Sequence, residues 1–182
     1  LRLLHSAIRW LLPIMPALSA SSPIADNRIT GFCDTRLEMY RKNQVKVPSI
    51  IGKIVPEPIA SRKEYFEKIL QPMWKDIAPY DEEGILQEEW LNSRGAIVRF
   101  DRNAIEIRVL DTQECPYMDL QVVQAIVTGL KFLVDRLKKR ELLYDAIDTE
   151  GLSQMFLRVV REGENTFIEN KEYLQLFGVH EP

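Results

Sequence analysis

Residues 103–116, NAIEIRVLDTQECP, combine charged side chains with the alternation that is typical of a half-buried β-strand. The apolar positions of this strand are Ile105, Ile107 and Val109. Glu106 and Arg108 alternate with them and therefore share the opposite face. A carboxylate is a ligand that Mg²⁺ accepts, and a guanidinium group donates in the planar geometry that suits phosphate or carboxylate oxygens. The spacing is therefore compatible with a site for a divalent metal ion and an anion.

The same strand face has a structural alternative. The preceding segment AIVRF, residues 96–100, can pair with it as a hairpin. Arg99 would then point to the side of Glu106 and Arg108. Three such side chains can also form a surface salt-bridge ladder, a common arrangement that contributes only about 0.2–1 kcal/mol per pair. The sequence pattern by itself leaves both interpretations open.

A hairpin and a long helix are the elements predicted to carry this face. The strands are expected at 96–100 and 104–110, with the turn DRN between them. An apolar stripe then runs from about Asp119 to Arg140, and three basic residues end it where cations interact favourably with the helix dipole. Because that stripe needs a sheet or a helix as its partner, we predict an α+β fold with a small antiparallel sheet backed by helices.

The amino-terminal segment LRLLHSAIRWLLPIMPALSASSP has two interpretations. Arg2 and Arg9, an apolar run and small residues near Ala20 are the parts of a secretory signal peptide. Pro13 and Pro16 interrupt the run, however, and it is too short to span a bilayer. The alternative is a buried helix that bends at its prolines.

Further elements are predicted by loop composition and helix caps. SASSPIADNRITGFCDTR is a polar loop of the length that often carries function. Asp34 or Thr35 is expected to cap the short helix TRLEMYRKNQ. Ser61, with Glu64 as its capping-box partner, begins the helix RKEYFEKILQPMWKDI, which Pro72 should kink or divide. Short helices are predicted for the carboxyl-terminal segment.

Composition excludes several classes of protein. The net charge is −3, and the basic residues are spread along the chain, so a nucleic-acid-binding surface is not indicated. The sequence has two cysteines, Cys33 and Cys115, and two histidines, with no zinc-ligand spacing and no dense disulfide framework. We expect free thiols, a cytoplasmic location and no membrane partner.

Three segments in order, SASSPIADNRITGFCDTR, WLNSRGAIVRFDR and NAIEIRVLDTQECP, resemble the carboxyl-terminal half of the glutamate–cysteine ligase type 2 family. The resemblance runs from about Leu11 to about Arg136. It implies a glutamine synthetase-like catalytic fold, in which the apolar segment before LSASSP is an internal helix. One domain is expected. Its parts are 1–43 (helix and substrate loop), 44–95 (extended segment and helix), 96–116 (hairpin) and 117–182 (helical).

The resemblance implies an ATP-dependent carboxylate–amine ligase. In such an enzyme the γ-carboxylate of glutamate is phosphorylated, and an amine, such as that of cysteine, displaces the phosphate. By this resemblance Glu106 would bind Mg²⁺, and Arg108 would bind the phosphates of ATP and take part in catalysis. Arg36 would hold the carboxylate of the amino-acid substrate, and Arg94 and Arg99 would stabilise the acyl-phosphate step.

Two acidic residues, Asp111 and Glu114, are candidates for orienting these arginines. The alternative for Arg36 is a salt bridge with Glu38 or with a neighbouring helix. For Arg94 and Arg99 a purely structural role is also open, and the pattern favours it more than for Arg108. The sequence pattern does not choose between these roles.

The sequence also departs from the family. No Glu-x-Glu pair lies on a convincing strand and no His-x-His is present, although the family's amino-terminal half carries such groups. We therefore expect an isolated chain to be inactive and to need the missing amino-terminal half as a partner. A homo-oligomer is possible through exposed sheet edges. The alternatives are a non-catalytic, ligase-like binding or regulatory module, and a subunit completed by association.

Overall fold

The structure is a computed structural model that describes residues 1–144 and 146–180. It is an α+β fold in which small antiparallel sheets are backed by helices, as predicted. The helices are α1 (Arg2–Leu11), α2 (Met15–Ser19), α3 (Thr35–Lys42), α4 (Arg62–Tyr65), α5 (Gln71–Ile77), α6 (Pro116–Lys138), α7 (Thr149–Glu162) and α8 (Lys171–Leu176). The strands are β1 (Ile24–Ala25), β2 (Arg28–Ile29), β3 (Ala96–Arg99) and β4 (Ala104–Ile107).

The amino-terminal segment is a bent, buried helix, which confirms the second of its two interpretations. α1 continues through the 3₁₀ turn Leu12–Ile14 into α2. Pro13 and Pro16 lie at the starts of the 3₁₀ turn and of α2, where a missing N–H costs little. Trp10 is fully buried, and its carbonyl accepts a hydrogen bond from the Tyr173 hydroxyl on α8 at 2.8 Å.

β3 and β4 form the predicted hairpin, but both strands end earlier than predicted. Phe100 already belongs to a 3₁₀ turn, so β3 ends at Arg99. Arg108 N–H donates to the Gly95 carbonyl at 2.8 Å, whereas Gly95 N–H bonds to Ile54 instead of returning to β4. The ladder therefore stops there, and β4 does not reach residue 110.

The register of the hairpin determines which side chains share a face and which backbone groups of β4 point away from β3. Ile97 lies opposite Glu106, and Arg99 lies opposite Ala104, so these side chains share one face. Hydrogen-bonded and non-hydrogen-bonded pairs alternate along an antiparallel ladder. Because the Arg108 N–H bonds to Gly95, the backbone groups of residues 106 and 104 also point toward β3. The backbone groups of Ile105 and Ile107 consequently point away from β3, along the outer edge of β4.

The long helix α6 begins at Pro116 and ends at Lys138, a few residues earlier at each end than predicted. Proline suits the first helical turn, where its missing N–H has no partner to lose. α6 packs on α1 and buries only a narrow stripe, formed by Ile126, Leu133 and Leu137.

α6 is also long and apolar enough to cross a membrane by length and composition, and 11% of its apolar window is buried. These two criteria also describe some core helices, so they assign no membrane role. What the exposure does show is that α6 has apolar surface without a partner among residues 1–144 and 146–180.

The helix predicted after Ser61 forms with the expected cap. Ser61 Oγ accepts from Glu64 N–H at 3.1 Å. α4 and α5 are joined by the π-helical turn Phe66–Leu70, which ends two positions before Pro72. This turn is the observed form of the interruption predicted at the proline, and the helix buries Tyr65 and Met73 in a core cluster that also contains Val98 of β3.

The predicted functional loop contains a two-residue hairpin, β1–β2, and is tied to α7. Cys33 N–H and Asp34 N–H donate to the carbonyls of Arg161 and Val160, each at 3.0 Å. Asp34 then caps α3 by accepting from Leu37 N–H at 2.9 Å, as predicted.

Candidate functional site

Three charged side chains meet on the polar face of the hairpin. Glu106 Oε1 accepts from Arg108 Nε at 2.8 Å, and Glu106 Oε2 accepts from Arg99 Nη1 at 3.2 Å. All three side chains are partly exposed. The hydrogen bond from Arg108, together with the charge of Arg99, lowers the pKa of the Glu106 carboxyl, so Glu106 is a carboxylate at neutral pH.

Arg99 has all its guanidinium nitrogens engaged. Besides Glu106, it binds both carboxylate oxygens of Asp101, with Nε and Nη2 at 3.3 and 3.2 Å. Asp101 and then Glu106 raise the pKa of Arg99 further above its ordinary value. In this arrangement Arg99 completes a salt-bridge ladder, so binding an anion would require it to release Asp101.

Arg108 differs from Arg99 because part of its guanidinium group is free. Its Nη1 donates to the Asn92 carbonyl at 2.8 Å, while its Nε is bound to Glu106. Within the described part of the chain, no hydrogen bond of Nη2 is found. Arg108 is thus held at two nitrogens and has a third donor available to a ligand.

Arg94 lies behind this face. Its side chain is buried, and it forms a two-pronged ion pair with Glu57, at 2.6 Å from Nε and 2.7 Å from Nη2. Its Nη1 donates to the Ser49 carbonyl and to Asn92 Oδ1, each at 3.1 Å. A Cβ at Gly52 would lie 2.8 Å from the Arg94 guanidinium, so only glycine allows this close approach. The structure does not place the Arg94 guanidinium in the cluster around Glu106.

Arg36 belongs to a second charged cluster. Its Nε donates to Asp111 Oδ1 at 2.9 Å, and its Nη2 lies 3.6 Å from Asp34 Oδ2. The sequence alternative, a pair with Glu38, is wrong because Glu38 binds Arg41 and Lys42 instead, each at 2.8 Å.

Asp111 links this cluster to the polar loop. Its Oδ2 accepts from Ser21 N–H at 3.1 Å while its Oδ1 binds Arg36, so Asp111 does orient an arginine, as predicted. For Glu114, no ion pair with an arginine is found between residues 1 and 144. Burial is the main reason that the pKa of Asp34 is raised, since it disfavours the charged form.

Asn92 and Tyr65 are the polar residues at this site that sequence reasoning missed. Asn92 is fully buried, and its Nδ2 donates to the Tyr65 hydroxyl at 2.8 Å. The only local signal was the position of Asn92 in WLNSRG, beside an arginine that was already a candidate.

The described residues do not suffice for a magnesium site. No group of three or more His, Cys, Asp or Glu side chains in 1–144 and 146–180 could hold a metal ion. Each oxygen of Glu106 accepts a hydrogen bond from an arginine. Mg²⁺ normally takes six oxygen ligands, so further carboxylates or phosphate oxygens would be needed.

The two cysteines are free. Cys33 is half-buried against α7, where a Cβ added to Gly163 would lie 3.1 Å from Sγ. Cys115 is exposed at the start of α6. The contacts of Cys33 are those of a small packed side chain.

Comparisons with known proteins agree with the sequence resemblance. The profile of the glutamate–cysteine ligase family 2 matches residues 3–159. An uncharacterized protein of Archaeoglobus fulgidus is 40% identical over 134 residues, which make up 74% of this chain and 36% of that protein. The chain therefore spans little more than a third of this curated relative. No solved structure matches.

Proposed function

Because the chain belongs to the glutamate–cysteine ligase family 2, we propose that it forms the arginine-bearing part of an ATP-dependent carboxylate–amine ligase. In the proposed reaction, a γ-carboxylate oxygen of glutamate attacks the terminal phosphorus of ATP, and ADP leaves. The amine, with cysteine as the first candidate, then attacks the acyl carbon, phosphate leaves with the bonding electrons, and the amine proton passes to water. A cytoplasmic location fits the use of ATP.

The observation that carries this proposal is that two guanidinium nitrogens of Arg108 are hydrogen-bonded while the third is available. Two of its nitrogens are fixed by Glu106 and Asn92, and Nη2 remains available at a partly exposed position. A guanidinium group that is held in place can donate to a phosphate oxygen without first reorganising. Donors fixed in advance in this way stabilise the charge that develops in phosphoryl transfer. Arg99 would join it after exchanging Asp101 for the ligand.

Arg36 is proposed to bind the carboxylate of the amino-acid substrate. Its Nε and Nη2 face Asp111 and Asp34, and its side chain remains about a third exposed at 35%. Nη1 is the donor left for the substrate. Arg94 is better suited to supporting the site from behind, because its donors are used by Glu57, Ser49 and Asn92.

The remaining part of the ligase is the proposed partner. Magnesium would require carboxylates from outside the described residues, and the curated relative is far longer than the region it shares with this chain. Two surfaces suit such a partner. One is the outer edge of β4, where no hydrogen bond of Ile105 or Ile107 is found in the described chain. The other is the apolar flank of α6, formed by Leu120, Val123 and Val127, which is exposed.

A non-catalytic binding module is the second candidate function. It is favoured by the charge pairing on the hairpin face, because Arg99 already forms ion pairs with Asp101 and Glu106. Such a module would bind a nucleotide or a protein partner without turnover. A second copy of the chain could occupy the same two surfaces, giving a homo-oligomer.

Phosphate release tests these functions. The purified chain is incubated with ATP, Mg²⁺, glutamate and cysteine, alone and with the remaining part of the Archaeoglobus fulgidus relative added in trans. The ligase proposal expects release only in the mixture, and only when both glutamate and the amine are present. Absence of release in a mixture that forms a stable complex would favour the binding module. Sustained release by the chain alone would show that it is a whole active site.

A further inference from the structure

The segment before β3 is held by backbone hydrogen bonds at two of its residues. Ser93 N–H donates to the Ile50 carbonyl, and Gly95 N–H donates to the Ile54 carbonyl, each at 2.8 Å. These bonds tie the backbone of residues 92–95 to a second segment of the chain. The orientation of each carbonyl in this segment is therefore determined by tertiary contacts.

Asn92, at the start of this segment, forms hydrogen bonds with both polar atoms of its side-chain amide. Its Nδ2 donates to the Tyr65 hydroxyl at 2.8 Å, and its Oδ1 accepts from Arg94 N–H and from Arg94 Nη1, each at 3.1 Å. The same hydroxyl accepts from Val98 N–H at 3.1 Å. A rotation of this buried amide would leave several polar groups without partners, which is costly in a low-dielectric interior.

The ion pair of Arg94 with Glu57 anchors that amide. The side chain of Arg94 is 4% exposed and that of Glu57 is 31% exposed, so the guanidinium depends on this carboxylate for its charge partner. Two parallel hydrogen bonds fix both the position and the plane of the guanidinium. From this fixed guanidinium, Arg94 Nη1 donates to Asn92 Oδ1 at 3.1 Å.

The backbone carbonyl of Asn92 completes a path to the hairpin face, because it accepts from Arg108 Nη1 at 2.8 Å. We propose that Asn92 is a positioning residue for Arg108, and that the ion pair of the buried Arg94 with Glu57 holds Asn92 in place. The inference deepens the proposed function and rests on it for the role of Arg108.

The path determines which donor Arg108 offers to a ligand. Its Nε and Nη1 are bound to two different acceptors, so the plane of the guanidinium and the direction of its Nη2 are held. Without the Asn92 carbonyl, Arg108 keeps Glu106 as its acceptor and gains freedom to rotate about that contact. Donors held in advance are more effective at stabilising transferred charge than donors that must be ordered.

Hydrogen exchange of the Arg108 guanidinium tests the proposal on the chain without any ligand. ¹⁵N NMR at low temperature resolves the arginine side chains, and the Arg108 signal is the one that disappears in Arg108→Lys. In Glu57→Gln we expect the Nη1 protons of Arg108 to exchange at least about tenfold faster. The reason is that the Asn92 carbonyl, which accepts from Nη1, is no longer held in position. The guanidinium of Arg136, bound to the carbonyls of Gln175 and Leu176, serves as the internal reference.

Glu150→Gln is the matched control. It removes the same charge and breaks an ion pair with Lys53 at 2.7 Å, but both side chains of that pair are more than half exposed, and no bond from either to Asn92 or Arg94 is found in the described chain. Exchange at Arg108 should be unchanged in this variant. Equal acceleration in both variants would show a general loosening of the protein and would overturn the proposal.

Arg94→Lys provides a second route if Glu57→Gln does not fold. Lysine keeps the positive charge beside Glu57 but loses the bond to Asn92 Oδ1, so Arg108 should again exchange faster. Unchanged exchange in either folded variant would contradict the coupling. A failure of the ligase proposal would instead appear in phosphate release alone, because these exchange measurements require no ligand.

Discussion

Glu106 lies on β4 and Arg108 directly follows that strand, and their side chains bond directly, with Oε1 of the first 2.8 Å from Nε of the second. Residues at i and i+2 share a face of a strand, so the contact needs no long-range arrangement. Its consequence is chemical. Each Glu106 oxygen accepts a hydrogen bond from an arginine, so a metal ion there would share the carboxylate with both guanidinium groups, and the charge of Glu106 holds Arg108 in place.

Glu106→Gln should separate the role of this carboxylate in activity from its role in stability. The side chain is partly exposed, so we expect the free energy of unfolding to change by less than about 1 kcal/mol. We call the mixture of this chain with the remaining part of the ligase the complemented ligase. Its turnover should fall by about 100-fold or more if Glu106 binds the Mg²⁺ that neutralises the transferred phosphoryl group. Urea unfolding and phosphate release measure the two effects. Asp101→Asn, which removes another partner of Arg99, should retain most of the turnover; equal losses in both variants would contradict the assignment.

Arg108→Lys should impair activity although it preserves the charge. A lysine ammonium cannot bond Glu106, Asn92 and a phosphate oxygen in one plane. We expect phosphate release in the complemented ligase to fall at least about tenfold at saturating ATP. Arg102→Lys is the control, since Arg102 is exposed and contacts Asp101 at 3.4 Å. Full activity of Arg108→Lys would remove Arg108 from the site.

Arg94→Met should destabilise the protein. It leaves the Glu57 carboxylate without its partner and removes a donor from Asn92 Oδ1. Because Glu57 is partly exposed, we expect a loss of about 2–4 kcal/mol in the free energy of unfolding, toward the lower part of the range for broken buried pairs. Urea unfolding measures it. Arg102→Met at the surface should change stability by less than about 0.5 kcal/mol.

Stability should fall between pH 6.5 and about 4 because of His5. Burial, followed by the charge of Arg9, lowers the pKa of His5 from 6.5 to about 4. The unfolded chain binds a proton below pH 6.5 that the folded chain does not bind until about pH 4, so acid favours unfolding in this window. The shift corresponds to a loss of about 3 kcal/mol at most.

The His5 effect is measured as a difference, because carboxylates titrate in the same range. The difference in unfolding free energy between the original protein and His5→Leu should change with pH across this window. His180→Gln alters the other histidine, which is exposed, and should leave the pH dependence as it was. A slope that is identical in the original protein and in His5→Leu would contradict the prediction.

The apolar flank of α6 should make the chain associate in the absence of a partner. Leu120, Val123 and Val127 are exposed on this helix. Val123→Glu should shift the chain toward a monomer in analytical ultracentrifugation, because it adds charge to a surface that association would bury. Gln121→Glu adds the same charge at an exposed polar position and should have a smaller effect. If both variants behave like the original chain, the flank is not an association surface.

Local contacts were predictable from the sequence. The caps at Asp34 and Ser61 depend on neighbours within three residues, and both formed as predicted. The shared face of Glu106 and Arg108 follows from the period of a strand, and a short turn was enough to bring Arg99 to the same side. Such features depend on backbone geometry, which neighbouring residues determine.

The partners of the other arginines depended on the tertiary structure. Arg36 binds Asp111, which lies 75 residues away in the chain, and Arg94 binds Glu57, 37 residues away. A long, flexible guanidinium side chain can reach many acceptors, and the sequence does not indicate which distant segment packs beside it. The role of the Asn92 carbonyl was equally hidden, because every residue has a carbonyl and only packing decides which one faces Arg108. The sequence by itself therefore determined the family and the charged strand face, whereas the tertiary structure decided how firmly each arginine is held, since that depends on acceptors brought in by distant parts of the chain.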